Sequence, residues 1–163
     1  QWDSALRPMA KHNLGYLHWC NVPSNTEHDF YLEQARAVCA QAAAAGFEGL
    51  DFYGELSDER PNAEIAYLAW EAFLWNPEMS IDEFTAQRLA RLYGGEAPAR
   101  ALVEIIPLVW TAAERAKPGN LDRAVDLAES ARKTASPAGQ PRWDRLIAYL
   151  ADRREQIKRE QAK

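Results

Sequence analysis

Hydrophobic positions along this chain follow two different rhythms, and the change falls near Gly54. Before it, two short runs flank one helical stretch. Leu14 to Asn21 is aromatic and aliphatic and ends just short of Pro23, which predicts a strand. Thr26, with Asp29 three residues on, is a relative of the capping box and predicts a helix start. Tyr31, Ala35, Val38, Cys39 and Ala42 then fall on one helical stripe that closes at Gly46. Phe47 to Tyr53, between Gly46 and Gly54, predicts a second strand. A strand, a helix and a strand joined in this way form a parallel crossover unit. Two parallel strands do not make a stable sheet by themselves, so the first third predicts a slice of a larger α/β structure.

After Gly54 the helical period takes over. Asn62 is the expected cap of a helix from Ala63 to Trp75 that is apolar almost all round, with Glu64 and Glu71 its charges, and Asn76-Pro77 stops it. Ser80 and Glu83 have the spacing of a capping box, and Met79 can staple against Phe84. Ile81, Phe84, Leu89 and Leu92 stripe that helix, and Gly94-Gly95 ends it. Pro98 is expected to open the next helix, which carries Leu102, Ile105, Ile106, Val109 and Trp110 and a kink at Pro107. Lys117 to Asn120 predicts a turn, with Asn120 capping a helix through Arg132. The stretch 136–141 predicts a loop, followed by a last helix from about Arg142.

Length and charge narrow the functional classes. A chain of 163 residues suffices for one domain with a core, and 47% hydrophobic with 26% charged residues marks it as globular rather than disordered. The net charge of −5 argues against a nucleic-acid footprint. Arg153, Arg154, Lys158 and Arg159 gather near the end, but Asp152, Glu155 and Glu160 interleave with them, as on a solvated helix face. No apolar run approaches the roughly 20 residues that span a bilayer, and no basic start precedes an apolar stretch, so neither a membrane helix nor a signal peptide is expected. The chain begins at Gln1, which points to a processed or shortened polypeptide. A soluble protein is expected from the lack of a membrane helix, with the compartment, cytoplasmic or periplasmic, left open. Cys20 and Cys39 sit among apolar neighbours as small buried hydrophobes. His12, His18 and His28 are too scattered for a metal site, and no cofactor is expected.

Candidate chemistry lies at the two predicted strand ends. Alternation places Asp51, Tyr53 and Glu55 on one side of the second strand and Leu50 and Phe52 on the other, the side suited to helix packing. The next residues add Asp58, Glu59 and Arg60. Trp19 and Asn21 share a face at the end of the first strand, where an indole can stack on a sugar ring and an amide can bond its hydroxyls. Glycosidic cleavage usually needs two carboxyl groups flanking the scissile bond. The first strand end carries none.

One stretch resembles part of the bacterial glycoside hydrolases. Phe47-Glu48-Gly49-Leu50-Asp51-Phe52-Tyr53-Gly54-Glu55 is similar to the last strand of their catalytic (β/α)8 barrel. Asn62 through Pro77, with Tyr67-Leu68-Ala69 and Leu74-Trp75-Asn76-Pro77, resembles the last barrel helix. Glu78 to Ala97, with Ser80, Asp82, Glu83, Phe84, Tyr93 and Gly94, resembles the helical region that follows. The pattern is nearest to the α-glucuronidases and related glycosidase-like proteins, and it covers about a third of the chain. In those barrels the cleaving groups lie mostly on earlier strands. The resemblance therefore implies substrate-contacting roles for Trp19, Tyr53 and Glu55, and no cleavage by this chain alone.

Taken together, these readings predict a mainly α chain with a small parallel α/β portion in its N-terminal third. Residues 1–78 are expected to form a closing β-α-β-α segment of an incomplete (β/α)8 barrel, and residues 79–163 a C-terminal helical domain. The expected function is that of the C-terminal portion of a glycoside hydrolase, contacting carbohydrate through Glu55, Tyr53, Trp19, Asn21 and Asp51. The alternative is a stand-alone helical interaction module whose strands pair with a partner chain. Unpaired strand edges recruit other strands, so a homodimer or pairing with the rest of the barrel is expected.

Overall fold

A computed structural model of the chain describes residues 14–18, 31–47, 49–53, 61–110 and 117–161. Two short strands, Leu14–His18 (β1) and Gly49–Tyr53 (β2), flank the helix Leu32–Ala44 (α1). Everything described after them is helical or a turn between helices. β1 and β2 form a parallel ladder of two strands, which is all the β-structure among the described residues. This corrects the expected α/β class: the protein is mostly helical, and its described residues hold no barrel and no larger sheet. The reason lies in the apolar stretches after Pro61. They bury their side chains helix against helix, and the core is built from that packing.

α1 buries Leu32, Ala35, Cys39 and Ala42. It ends in a Schellman motif: Phe47 N–H donates to the Ala42 carbonyl at 3.1 Å and Gly46 N–H to the Ala43 carbonyl at 3.0 Å. Gly46 makes this possible with a φ of 86°. The predicted cap at Thr26 lies outside the described residues. Next comes α2, Pro61–Trp75, which packs against α1. Pro61 is its first residue, where a missing N–H costs nothing. Asn62 is therefore not the cap that its type suggests; it lies inside the first turn with its side chain buried.

The Ser80–Glu83 capping box is formed as expected. Glu83 N–H donates to Ser80 Oγ at 3.1 Å, and Ser80 N–H to the Glu83 carboxylate at 2.8 Å. The helix it opens is less regular than its stripe predicts. Ile81–Phe84 (α3) runs into a π-helical turn, Thr85–Leu89, and then into Ala90–Tyr93 (α4). Buried Thr85 donates its hydroxyl to the Ile81 carbonyl at 2.7 Å, a local bond that competes with regular helix pairing. Glu96–Val109 (α5) begins two residues before Pro98, and it continues past Pro107.

Pro118–Thr134 (α6) and Gln140–Gln161 (α7) form a hairpin against α5. α6 starts at Pro118 rather than at an Asn120 cap, and α7 starts slightly earlier than the proline at 141 suggests. The hairpin turn locks onto the end of α4. Ser136 N–H donates to the Gly94 carbonyl at 2.8 Å, and the Trp143 indole donates to the Tyr93 carbonyl at 2.9 Å. The rings of Tyr93 and Trp143 meet edge to face at 5.4 Å. A Cβ on Gly139 would stand 2.5 Å from the Gly94 nitrogen, so only glycine permits this crossing.

Candidate functional site

Parallel pairing sets the geometry of the expected site. Tyr16 stands opposite Asp51 and His18 opposite Tyr53, so both strands end at the same edge of the ladder. Asp51 and Tyr53 are thus brought beside β1 in backbone register. Trp19, Asn21 and Glu55 follow these strand ends in sequence and lie outside the described residues, as do Asp58, Glu59 and Arg60. Leu50 is partly buried against the core, and α1 lies against β2.

A cleft between the start of α1 and α5, lined by Tyr31, Leu32, Glu33, Val103, Ile106 and Pro107, measures about 40 Å³. That volume holds a water or two and is far below a ligand site of roughly 300 Å³ or more. No group of three or more His, Cys, Asp or Glu side chains could hold a metal ion among the described residues. None of the described helices is long and apolar enough to cross a membrane.

Titratable groups in the core are held in their neutral forms. Burial pushes the Cys39 thiol up to about 11, so it is a packing group and a poor nucleophile near neutrality. Burial, with the nearby Glu64 carboxylate, also raises the Tyr93 phenol well above its ordinary range. Glu64 itself accepts from Arg142 at 2.9 Å and from Arg145, tying α2 to α7. These contacts join the two helices.

Two features were not foreseen from the sequence. Asn62 is 4% exposed, and its Oδ1 has no hydrogen-bond partner. Trp75, the last residue of α2, is 82% exposed although its helix is otherwise mostly buried. A hydrophobic pattern marks Trp75 as core; its position beside Asn76-Pro77, where the helix must stop, was the one available sign that it leaves the core.

Compared with known proteins, the chain matches no family description, no curated protein and no solved structure.

Proposed function

We propose that this chain is the carbohydrate-contacting C-terminal portion of a glycoside hydrolase whose cleaving carboxylates lie outside its sequence. The observation that carries this reading is the parallel register of β1 and β2. Because His18 pairs with Tyr53, both strands end at one edge of the ladder, and the candidate sugar-contacting residues Trp19, Asn21 and Glu55 follow these ends in sequence. An indole, an amide, a phenol and a carboxylate in these short sequence segments supply the chemistry of a stacking face and of hydroxyl partners. Substrate binding follows from that set, whereas cleavage needs a second carboxyl group.

The test is kinetic, in the polypeptide that also carries the cleaving groups. A charged acceptor to a sugar hydroxyl contributes roughly 1.5–3 kcal/mol. Glu55→Gln should therefore raise KM for aryl glycosides or glycosiduronates while leaving kcat near wild type. Loss of a general acid or base would instead lower kcat by about 10²–10⁴-fold, and that result would reverse the assignment. Wild-type kinetics throughout would return Glu55 to an ordinary solvated loop.

A second reading, a helical interaction module, is favoured by the brevity of the ladder. Two parallel strands are too few for a stable sheet, so a partner chain supplying further strands would serve as well as more of the same polypeptide. Sedimentation of the chain decides the homodimeric form of this reading: a compact monomer at low micromolar concentration excludes it.

A further inference from the structure

Building on the strand-end reading above, we propose that Arg142 and Arg145 are positioning residues for the carbohydrate site. They hold the first turn of α2 through Glu64, and that turn anchors the far end of the segment that carries Glu55.

Chain connectivity gives the first turn of α2 this role. Tyr53 closes β2 and Pro61 opens α2 eight residues later, with Glu55 between them. The six residues from Glu55 to Pro61 reach about 21 Å at most, so Glu55 is tethered between the ladder and this turn. The turn does little to fix itself. Pro61 has no N–H, and Asn62 Oδ1 is buried without a hydrogen-bond partner. Glu64 ties the turn to α7 instead: Arg142 Nε donates to one carboxylate oxygen at 2.9 Å, and Arg145 donates to the other.

The two guanidiniums stand on a rigid base. They are three residues apart and so share a face of α7. Trp143 lies between them in sequence and is fully buried, and its indole bond to the Tyr93 carbonyl fixes the start of α7 against α4. The Glu64 carboxylate is near enough to Tyr93 to help raise its phenol, which sets the clamp over this same crossing. The Glu64 side chain is 27% exposed and the two arginines 32% and 42%, so water screens the pairs and they add little to stability. Their contribution is geometric. Donors on both oxygens of a carboxylate fix its orientation as well as its distance.

The experiment is an NMR titration of the chain with aryl glycosides and glycosiduronates, following the Tyr53 backbone amide. Glu64→Gln and the double variant Arg142→Ala/Arg145→Ala are expected to unfold near the wild-type midpoint and to bind sugar about tenfold more weakly. Should the alanine pair lower the midpoint, Arg142→Lys/Arg145→Lys keeps both charges, loses the planar forks and reads the same weakening in a stable fold. Arg132→Ala breaks the comparable Arg132–Asp144 pair within the hairpin and is expected to bind as wild type does. Unchanged affinity in Glu64→Gln, where Tyr53→Ala weakens binding, overturns the positioning role and leaves the proposed function standing. An equal loss in Arg132→Ala also overturns it, since any broken ion pair of α7 would then suffice. No binding of any sugar by the wild-type chain counts against the strand-end reading itself and overturns the clamp with it.

Discussion

The contact between α1 and α2 and the hairpin of α6 and α7 are both helix pairs, yet they bury different material. On α1 the buried positions are Leu32, Ala35, Cys39 and Ala42, and on α2 they include Ile65, Trp70 and Phe73 beside Ala66, Ala69 and Ala72. On α7, Trp143, Leu146 and Leu150 are buried, and α6 buries Ala124, Ala128 and Ala131. The hairpin combines large side chains with small ones. In the first pair the mostly small set belongs to α1 alone, where Leu32 is the one large buried side chain. Burial stabilises in proportion to apolar area, about 25 cal/mol per Å², so α7 gains more per buried residue than α1. The difference teaches that the N-terminal third depends on its surroundings, while the C-terminal helices carry their own core. α2 joins the two sides, since it packs on α1 and is tied through Glu64 to α7.

The strongest way to break the comparison is at the hairpin. Trp143 is fully buried, and its indole holds the Tyr93 carbonyl. Trp143→Ala should cost about 3–5 kcal/mol in denaturant unfolding. A loss under 1 kcal/mol would mean that the hairpin does not hold the core. Gly139→Ala comes next. Its Cβ would meet backbone at 2.5 Å, so the crossing must open, at a cost of about 1–3 kcal/mol, and amide exchange should rise around Gly94 and Ser136.

A pH series examines the α1 side. The folded Cys39 thiol keeps its proton up to about 11, whereas in the unfolded chain it ionises near its ordinary value of 9.0. Between those values the unfolded state binds fewer protons, so stability is intact below pH 9 and falls as pH rises toward 11. Cys39→Ala should flatten that part of the profile, measured by unfolding at each pH. An identical alkaline slope in the variant would show that the thiol is not buried.

Ser80→Ala removes one side of the capping box and should cost about 1 kcal/mol, read as a shift of the unfolding midpoint. The smallest effect is expected at Trp75. Trp75→Ala should change stability by no more than about 0.5 kcal/mol, because the side chain is mostly in solvent. A larger loss would place Trp75 in a contact of the folded protein.

Local signals were legible wherever a residue type acts on its own neighbours. The Ser80–Glu83 box, the glycine end of α1 at Gly46 and the apolar stripe of α5 all follow from interactions within a few residues, and each forms as the spacing predicts. Asn62 and Asn120 look like caps by type, but a proline just before each had already started the helix. The π turn at Thr85–Leu89 had no signal in the stripe, because a stripe records which residues are apolar and not how the backbone closes each turn. For the site, the parallel register of Asp51 and Tyr53 beside β1 is described, while Trp19, Asn21 and Glu55 lie outside the described residues.

By itself the sequence determined the helices, the stops at Gly46, Trp75 and Gly94 and the apolar faces, because period and capping are properties of a few consecutive residues. Only the tertiary structure decided the fold class. Whether two short apolar runs grow into a sheet depends on strands that must come from elsewhere along a chain, and here the long helices supply the core instead. It also decided the fate of individual side chains. Trp75 and Trp143 are the same residue type in helical segments, yet one stands in solvent and the other is sealed against Tyr93. Burial is settled by what lies opposite a side chain, and for Trp143 that is the end of α4, fifty residues away in sequence.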